Sequence, residues 1–599
     1  MTLETIVTIC HDIIIDPAKI AADLNWLNIL PQYNSFHVST PCWQSEKETY
    51  AMAYYDLGPY SRPVSTKSRK AQKWFDRGLA WTYAYHHEEA IECFRKALSA
   101  DPGCAMAHWG IAYCIGPNYN KPWEAFEDDE KPDCIDLAQS SISAANELLD
   151  QITPLERALI ETLPARYPET SEVEDFSPWN DGFAVAMRKV HAEHSDDLDV
   201  CALFAEAIMN RTPWQLWDLA SGQPAKGADT LEAIAVLDNA LQSLPGAWQH
   251  SGLLHMYIHL MEMSPHPEKA LRHGDILCTL VPDAGHLLHM PSHIDVLCGD
   301  YMNVVLRNET AIIADRKYLL REGADNFYSI YRCHNYHFKI YGAMFLGQPT
   351  VALEAADALI ANLPTDTLRP MADWFEGFVP MKQHVLIRFG RWSDILAQKL
   401  PEDEGLYCVT IAMMRYARTV ALANMHRIDE AEAEKAKFYE ALDRVPESRM
   451  LFNNTCKDIL KVAEQMMLGE LAYHKGNHEA AFDHLRQSVE IDDNLPYDEP
   501  WGWMQPTRHA LGALLLEQDR IDEAEAVYRA DLGLDATLSR ACQHPGNVWS
   551  LHGLHECLTR RGETTEAMHI KLQFDKAAAR AEVPIRASCY CRQQRVAAQ

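Results

Sequence analysis

Long apolar runs are missing from this chain of 599 residues. A helix that crosses a bilayer needs roughly 20 consecutive apolar residues, and no segment approaches that length. The first residues, MTLETIVTICHDIIIDPAK, have no basic start, and His11 and Asp12 interrupt their apolar run. Such a start is not typical of a secretion signal. We therefore expect a cytoplasmic protein that does not span a membrane.

Positive charge is also scarce. The chain has 54 basic and 85 acidic residues, which gives a formal net charge of −31. Because phosphate groups would be repelled on balance, neither nucleic acid nor a membrane surface is expected as a partner. The 16 cysteines lack the dense spacing of a disulfide scaffold and are expected to be reduced core thiols. The single C-x-C at Cys589 and Cys591 is a weak metal signal and is not included among the candidate ligands.

Most catalytic signatures are absent. The 27 glycines are dispersed, and we find no GxSxG elbow, phosphate-binding loop, GxGxxG fingerprint or kinase set. Met256 and Tyr257 follow His255, so the HExxH pattern of zinc peptidases is absent.

Strand signals are almost absent from the sequence, which predicts an all-α protein.

Self-similarity with a period near 34 residues is the main organisational signal. Segment 71–102 places large, small and terminating residues at the spacing of a tetratricopeptide repeat: Trp74, Gly78, Trp81, Ala90, Phe94, Ala97 and Pro102. Segments 462–493 and 505–536 keep this spacing, and 415–446 and 546–580 are degenerate units. Because each repeat can bury its apolar faces only against its neighbours, these segments predict a tetratricopeptide-repeat α-solenoid of stacked helical hairpins.

The repeat spacing divides the chain into four parts. We predict an irregular N-terminal arm at 1–65, a repeat unit at 66–120, degenerate hairpins with a histidine-rich section at 121–400, and repeat units with a tail at 401–599. Within the third part, runs with a 3.6-residue period predict helices at 152–164, 180–192, 199–210, 230–243, 251–263, 303–320 and 327–346.

Histidines are concentrated in the central section, where residues 250–293 hold eight of the 27 in the chain. His255 and His259 are four residues apart, and Glu262 follows on the same predicted helical face. Such a pair offers two nitrogen ligands to one metal ion. Glu262 could then be a third ligand, a partner of a ligand, or a catalytic base.

Two further clusters extend this pattern. GHLLHMPSHIDV contains His286, His289 and His293, and Pro291 predicts either a kink or a new helix that starts near Met290. CHNYHFKIY contains His334 and His337, with Tyr336 as a candidate catalytic residue. We predict that these faces converge with His255, His259 and Glu262 on one metal centre. His250, His266 and His273 are expected to be ordinary core or surface residues.

The ligand types restrict the chemistry of such a centre. A nitrogen-rich set suits a transition metal, namely Fe, Cu or Zn, better than Mg or Ca. Two histidines and one carboxylate would hold one ion, whereas six imidazoles could hold two. We expect an oxidoreductase or oxygenase that acts on a small aromatic or apolar substrate, with a metal-assisted hydrolase as second choice. The alternative is a scaffold that binds a peptide or protein in its concave groove, with a structural metal or none.

Several segments resemble a family of large, mostly bacterial tetratricopeptide-repeat proteins with HxxxH and HMPSHI motifs. They are LLHMYIHLME, HLLHMPSHI, NET, FAEAIMNRTPWQLW and YDEPWGWMQPTRHALGALLLEQ, and the resemblance covers about residues 70–590. It implies the fold and an HxxxH pair with a following acid, here His255, His259 and Glu262. Similar pieces include AYHHEEA, with His87 as a reserve ligand, and the acid Glu206. This chain has Asp295 where the family commonly shows an aromatic residue after HMPSHI.

Overall fold

The computed structural model describes residues 54–171 and 173–592. Within these ranges the chain forms 27 α-helices. In chain order they are α1 (Arg69–Tyr83), α2 (His87–Ala100), α3 (Ala105–Cys114), α4 (Glu130–Asn146), α5 (Pro154–Arg166), α6 (Ser177–Glu193), α7 (Leu198–Met209), α8 (Thr230–Ser243), α9 (Ser251–Glu262), α10 (Leu271–Leu277), α11 (Gly285–His289), α12 (Pro291–Leu297), α13 (Tyr301–Glu322), α14 (Ser329–Leu346), α15 (Pro349–Ala361), α16 (Thr365–Leu368), α17 (Ala372–Phe375), α18 (Met381–Arg388), α19 (Trp392–Ala397), α20 (Cys408–Asn424), α21 (Ile428–Leu442), α22 (Cys456–His474), α23 (His478–Asp493), α24 (Thr507–Glu517), α25 (Ile521–Asp531), α26 (Val548–Arg561) and α27 (Thr564–Ala578).

Extended structure is minimal. Two antiparallel pairs of two-residue strands occur in loops: β1 (Trp217–Asp218) with β2 (Gln223–Pro224), and β3 (Met450–Leu451) with β4 (Asn454–Thr455). Short 3₁₀ helices occupy Trp123–Ala125, Leu149–Gln151, Ala247–Gln249, Pro267–Ala270, Arg369–Met371, Glu376–Phe378 and Arg540–Cys542. The predicted all-α class is confirmed.

The predicted repeat units form helical hairpins held by small residues packed against large ones. In the hairpin of α1 and α2, a Cβ added to Gly78 would lie 2.6 Å from the ring of Phe94. Gly469 of α22 meets Leu485 of α23 in the same way, at 2.7 Å. Only a residue without a side chain allows such close approach of the two helices. The other predicted units correspond to α20 with α21, α24 with α25, and α26 with α27.

The central section is helical where the 3.6-residue periodicity predicts helices. The seven predicted runs correspond to α5, α6, α7, α8, α9, α13 and α14. Helix α11 ends at His289 and α12 starts at Pro291, so of the two alternatives, a kink or a new helix near Met290, the structure has the new helix. Proline is favoured at this first position because its missing N–H would have no helical partner there.

Burial is most complete in α9, where all residues from Ser251 to Glu262 are buried. All residues of α11 and of α12 are buried as well. Polar side chains on these helices have no access to water and must find partners inside the protein. Five of the candidate ligands lie on these three helices: His255, His259, His286, His289 and His293.

The predicted N-terminal arm at 1–65 lies outside the described residues except for 54–65, which contain no helix or strand. Arg62 in this piece forms an ion pair with Asp197 at 2.8 Å.

Among the described residues, no helix combines the length and the apolar composition needed to cross a bilayer.

Candidate metal centre

Six histidines and two glutamates from five parts of the chain meet in the interior. Three groups have ligand atoms within 4.8 Å of one another: His255, His259 and His286; His289, His293 and His334; and Glu262, His293 and Glu499. All eight residues are buried. We call them the histidine centre. Helix α9 supplies His255, His259 and Glu262, whereas α11, α12, α14 and the loop between α23 and α24 supply the others.

In the first group, hydrogen bonds determine which ring nitrogens are free. His255 Nδ1 lies 2.7 Å from the carbonyl oxygen of Tyr83, which can only accept, so Nδ1 carries the proton. His259 Nδ1 lies 3.0 Å from Glu262 Oε1 and donates to it when Glu262 is ionised. Among the described residues, His255 Nε2, His259 Nε2 and His286 Nδ1 have no hydrogen-bond partner. His255 and His259 thus have the arrangement of metal-binding histidines, which donate their second N–H to a carbonyl or carboxylate.

The second group contains two nitrogens that face each other. Asn308 Nδ2 donates to the carbonyl oxygen of Val304 at 2.8 Å, so Asn308 Oδ1 must accept from His289 Nδ1 at 2.7 Å. His293 Nδ1 lies 2.8 Å from Glu262 Oε2. The remaining nitrogens, His289 Nε2 and His293 Nε2, are 2.8 Å apart. Two lone pairs at this distance repel unless a proton or a cation lies between them, and imidazoles that share one tetrahedral ion have nitrogens about 3.3 Å apart.

The two glutamates connect the groups. Glu262 contacts His259 with one oxygen and His293 with the other, and Glu499 also contacts His293 Nδ1. Burial, and then the neighbouring Glu499, raises the pKa of Glu262 to about 8. Burial raises the pKa of Glu499 well above its usual range. A cation nearby would favour the ionised form of both groups.

Most of the imidazoles are held in their neutral form. Burial lowers the pKa well below the usual range for five of them, and neighbouring imidazoles lower it further: His255, His259, His286, His289 and His334. Neutral imidazole is the form that binds a metal. Burial therefore keeps these five imidazoles in the neutral form that can bind a metal ion.

Three aromatic residues beside the centre have a left-handed backbone conformation. Tyr85, Trp214 and Phe452 have φ values of 53°, 58° and 49°. The Tyr85 ring lies 4.6 Å from that of His255, Trp214 is 5.7 Å from His259, and Phe452 is 4.7 Å from His334, measured between ring centroids. Such backbone strain in a bulky residue persists only where the surrounding structure imposes it, and it is concentrated at functional sites.

A pocket of about 380 Å³ reaches the histidine centre. His286, His293, His334 and Glu499 form its inner wall. The rest of the lining is mainly apolar or aromatic and includes Trp214, Phe327, Ile330, Tyr331, Trp374, Met450 and Phe452. The volume falls in the range of small-molecule sites, which are mostly apolar with a few polar groups.

Two predicted site residues lie apart from the centre. His337 does not face the centre: its Nε2 lies 2.8 Å from Met504 Sδ, and it belongs to none of the three ligand groups. Tyr336 does not line the pocket, and its hydroxyl is 3.5 Å from Asn362 Nδ2. The reserve ligand His87 also lies outside the groups, with Nδ1 2.9 Å from the carbonyl oxygen of Cys114.

The three histidines that were expected to be core or surface residues, His250, His266 and His273, lie outside the three ligand groups. His250 accepts from the N–H of Leu253 and thereby caps α9. His273 stacks on Tyr257 with ring centroids 3.8 Å apart, and His266 is on the surface beside Glu268. Asp295, the departure from the family pattern, pairs with Arg307 at 2.7 Å and does not line the pocket.

Several important residues were not among the predicted ligands: Glu499, Asn308, Tyr85 and Trp214. The tryptophan-rich run WQLWDL was expected to serve packing, but Trp214 lines the pocket. A signal for these residues exists, because each lies in a segment that carries the family resemblance: YDEPWGWMQ, NET, AYHHEEA and NRTPWQLW. These distant segments border one buried centre.

A family model for the tetratricopeptide repeat matches residues 86–104, which include α2. No curated protein matches the chain. Similar solved structures include the APC/C hetero-tetramer Cut9-Hcn1 (14% identity, 82% of this chain, 76% of that chain, TM-score 0.29). Others are Naa15/Naa10 bound to HypK-THB (14%, 85% and 70%, TM-score 0.21) and the P58(IPK) TPR domain (14%, 75% and 99%, TM-score 0.19).

Because these TM-scores are low, the fold assignment depends on the repeat match and on the hairpins themselves. In those hairpins small residues of one helix meet large residues of the next, as at Gly78 and Phe94. This chain is therefore a protein that contains tetratricopeptide repeats.

Proposed function

We propose that the histidine centre binds two transition-metal ions and that the protein is an oxidoreductase for a small aromatic or apolar substrate. The observation that supports this most directly is the pair of facing nitrogens, His289 Nε2 and His293 Nε2, 2.8 Å apart. Asn308 places the proton of His289 on Nδ1, and an ionised Glu262 would place that of His293 on Nδ1 as well. A buried pair of lone pairs with this geometry is stabilised by a shared cation.

Two ions agree better with the contacts than one. His255, His259 and His286 would hold the first ion, and His289, His293 and His334 the second. A single site of two histidines and Glu262 is disfavoured, because both oxygens of Glu262 already contact ring nitrogens. Three imidazoles for each ion suit Fe, Cu or Zn. When bound, Fe or Cu would supply one-electron redox chemistry, which Zn cannot supply.

The residues around the centre would then bind and orient the substrate. Trp214 and Phe452 offer apolar walls that exclude water from the inner end of the pocket. Glu262 holds the rings of His259 and His293 in one orientation by accepting from both. Rigid support of this type keeps the ligands in place as the substrate enters.

A partner-binding scaffold is the second candidate. It is favoured by the tetratricopeptide repeat at 86–104, since such repeats commonly bind peptides along their concave surface. In that case any metal at the histidine centre would be structural. The two candidates differ in whether the metal reacts.

Metal analysis of the purified protein tests the proposal. We expect close to two ions per chain, and His255→Ala combined with His259→Ala should lose at least the first ion while helicity, measured by circular dichroism, is kept. His266→Ala is the matched control, because His266 is exposed and lies outside the centre. It should retain the full metal content.

The metal's identity separates the outcomes. Iron or copper, with oxygen uptake that depends on an added small aromatic compound, would support the oxidoreductase. Zinc alone would favour the metal-assisted hydrolase. A folded protein without metal, after growth with Fe, Cu and Zn supplied, would overturn the metal centre and leave the scaffold.

A further inference from the structure

The pocket beside the histidine centre has an acidic polar lining. Glu124, Asp498 and Glu499 line it, and no lysine or arginine is among its lining residues in the described part of the chain. Glu124 is exposed at the mouth, whereas Asp498 and Glu499 are each only 4% exposed. The acidic groups therefore extend from the entrance to the inner wall.

Asp498 is a buried carboxyl group without a cationic partner in the described residues. Asn454 Nδ2 donates to it at 2.7 Å and the N–H of Asn453 at 3.4 Å, and both donors are neutral. Asp199 and Asp295, which are also buried, each pair with an arginine. Burial raises the pKa of Asp498 well above its usual range, and a cation beside the group would favour its ionised form. Because Asp498 lines the pocket, a cation bound in the pocket could be that partner.

Two basic residues that border lining residues of the pocket are engaged in ion pairs elsewhere. Lys121 lies over the ring of Phe327, which lines the pocket, but its ammonium group pairs with Glu130 at 2.7 Å. Arg449, next to the lining residue Met450, pairs with Asp373 and Glu376. Neither is a lining residue, so neither neutralises the acidic groups inside the pocket.

Aromatic faces provide a second, independent feature that suits a cation. Trp214, Phe327, Tyr331, Trp374 and Phe452 line the same pocket. An organic cation is attracted to such ring faces, with tryptophan the strongest partner. In addition, His286 and His334 line the pocket, so a compound bound there would lie beside the proposed metal ions.

We infer that the substrate carries a protonated amino group attached to its aromatic or apolar body. This inference rests on the proposed function and specifies the substrate class of the same pocket. The ammonium group lies against Asp498, and the apolar body lies between the aromatic walls, toward the histidine centre. A carboxylate in place of the ammonium group would find no cationic partner, because no lysine or arginine lines the pocket in the described part of the chain.

The test is calorimetric titration of the full chain, as purified with its metals, with three probes of one shape: 2-phenylethylamine, 2-phenylethanol and 3-phenylpropionate. We expect the amine to bind at least tenfold more tightly than the alcohol, and the carboxylate to give no measurable binding. Asp498→Asn should bring the amine and alcohol affinities within about twofold of each other. Glu490→Gln, the same loss of charge at an exposed residue outside the pocket, should leave the preference unchanged.

Equal binding of amine and alcohol by the unaltered chain would overturn the inference, as would a full amine preference in Asp498→Asn. If Asp498→Asn loses helicity, Glu124→Gln at the exposed mouth replaces it and should lower the preference, and no change would count against the inference. Metal content is measured on the same samples. If the samples contain metal but bind the amine and the alcohol equally, only the proposed substrate class is rejected. If they prefer the amine but contain no metal, only the proposed function is rejected.

Discussion

Asn308 decides which nitrogen of His289 can bind a metal. Its amide orientation is fixed by the carbonyl of Val304, so its oxygen accepts the Nδ1 proton of His289 and leaves Nε2 free. At the scale of single residues, the site thus depends on partners that are not ligands themselves. Such partners hold the ring orientation and the tautomer.

Asn308→Ala should therefore weaken metal binding by about 10- to 100-fold, the usual effect of losing a partner of a ligating histidine. Competition with a chelator of known affinity measures this change. Asn362→Ala is the matched control, because Asn362 lies near Tyr336 and outside the centre. Equal affinities of Asn308→Ala and the unaltered chain would show that His289 is not oriented by this amide.

Local spacing predicted some of the site residues but not others. The grouping of His255, His259 and Glu262 follows from a helical period of 3.6 residues. Glu499 lies more than two hundred residues along the chain from them, and no local pattern connects such positions. His337 was expected beside His334, but its ring faces Met504. Spacing alone does not decide this outcome, because His259 and Glu262 are also three residues apart and do meet.

At the scale of helices, the hairpins depend on small residues that permit close contact. A Cβ on Gly512 in α24 would lie 2.5 Å from the ring of Tyr528 in α25. The Tyr528 ring cannot easily move, because it is fully buried and its hydroxyl is 2.6 Å from Ser588 Oγ. The residue pattern of the repeats therefore has a direct steric cause.

Gly512→Ala should lower the free energy of unfolding by about 1–3 kcal/mol through this overlap. Gly182→Ala in α6 is the control, since the nearest atom to its Cβ is 3.4 Å away, an ordinary contact. That substitution should raise stability by about 0.5–1 kcal/mol because alanine favours a helix. Urea denaturation measures both, and a destabilising effect of equal size at the two positions would contradict the steric explanation.

A buried acid in α22 makes stability depend on pH. Glu470 is 1% exposed, accepts from Asn424 Nδ2 at 2.8 Å, and has its pKa raised by burial from 4.5 to about 7. The folded state therefore holds a proton that the unfolded state releases between these values. Stability is full below pH 4.5 and falls as the pH rises toward 7 and above.

Glu470→Gln removes this loss. The variant should be more stable than the unaltered chain by about 3 kcal/mol at pH 8, and by less than about 1 kcal/mol at pH 5. The shift in the urea midpoint at the two pH values measures the difference. A shift of the same size at pH 5 and pH 8 would mean that Glu470 does not titrate in this range.

Helices were the most predictable elements. The central runs and the repeat units formed helices because their apolar residues recur with the helical period. The new helix at Pro291 also followed from a local rule. The strained loops at Trp214 and Phe452 could not be predicted, because a left-handed backbone at a bulky residue is imposed by tertiary packing.

At the scale of the molecule, the histidine centre connects parts of the chain that are far apart in sequence. Its residues extend from His255 on α9 to Glu499 in the loop before α24. The stacking of hairpins follows from the repeat period, but the approach of this loop to the central helices does not. An ion bound at the centre would stabilise contacts between these distant parts.

Metal binding should consequently raise the stability of the whole chain. At free metal a hundredfold above Kd, each ion contributes about 2.7 kcal/mol if the unfolded chain does not bind it. A rise in the thermal midpoint on metal addition, reversed by a chelator, measures this effect. The variant with His255→Ala and His259→Ala serves as control and should shift by less. An unchanged midpoint in the unaltered chain would argue against the centre as a metal site.

The short helices α11 and α12 place three imidazoles on two adjoining segments with a proline between them. One inserted residue between His289 and His293 would rotate the second ring by about 100° away from its partner. Length changes in this segment should therefore abolish the centre. We expect natural variants of this protein to keep the number of residues from Gly285 to Leu297.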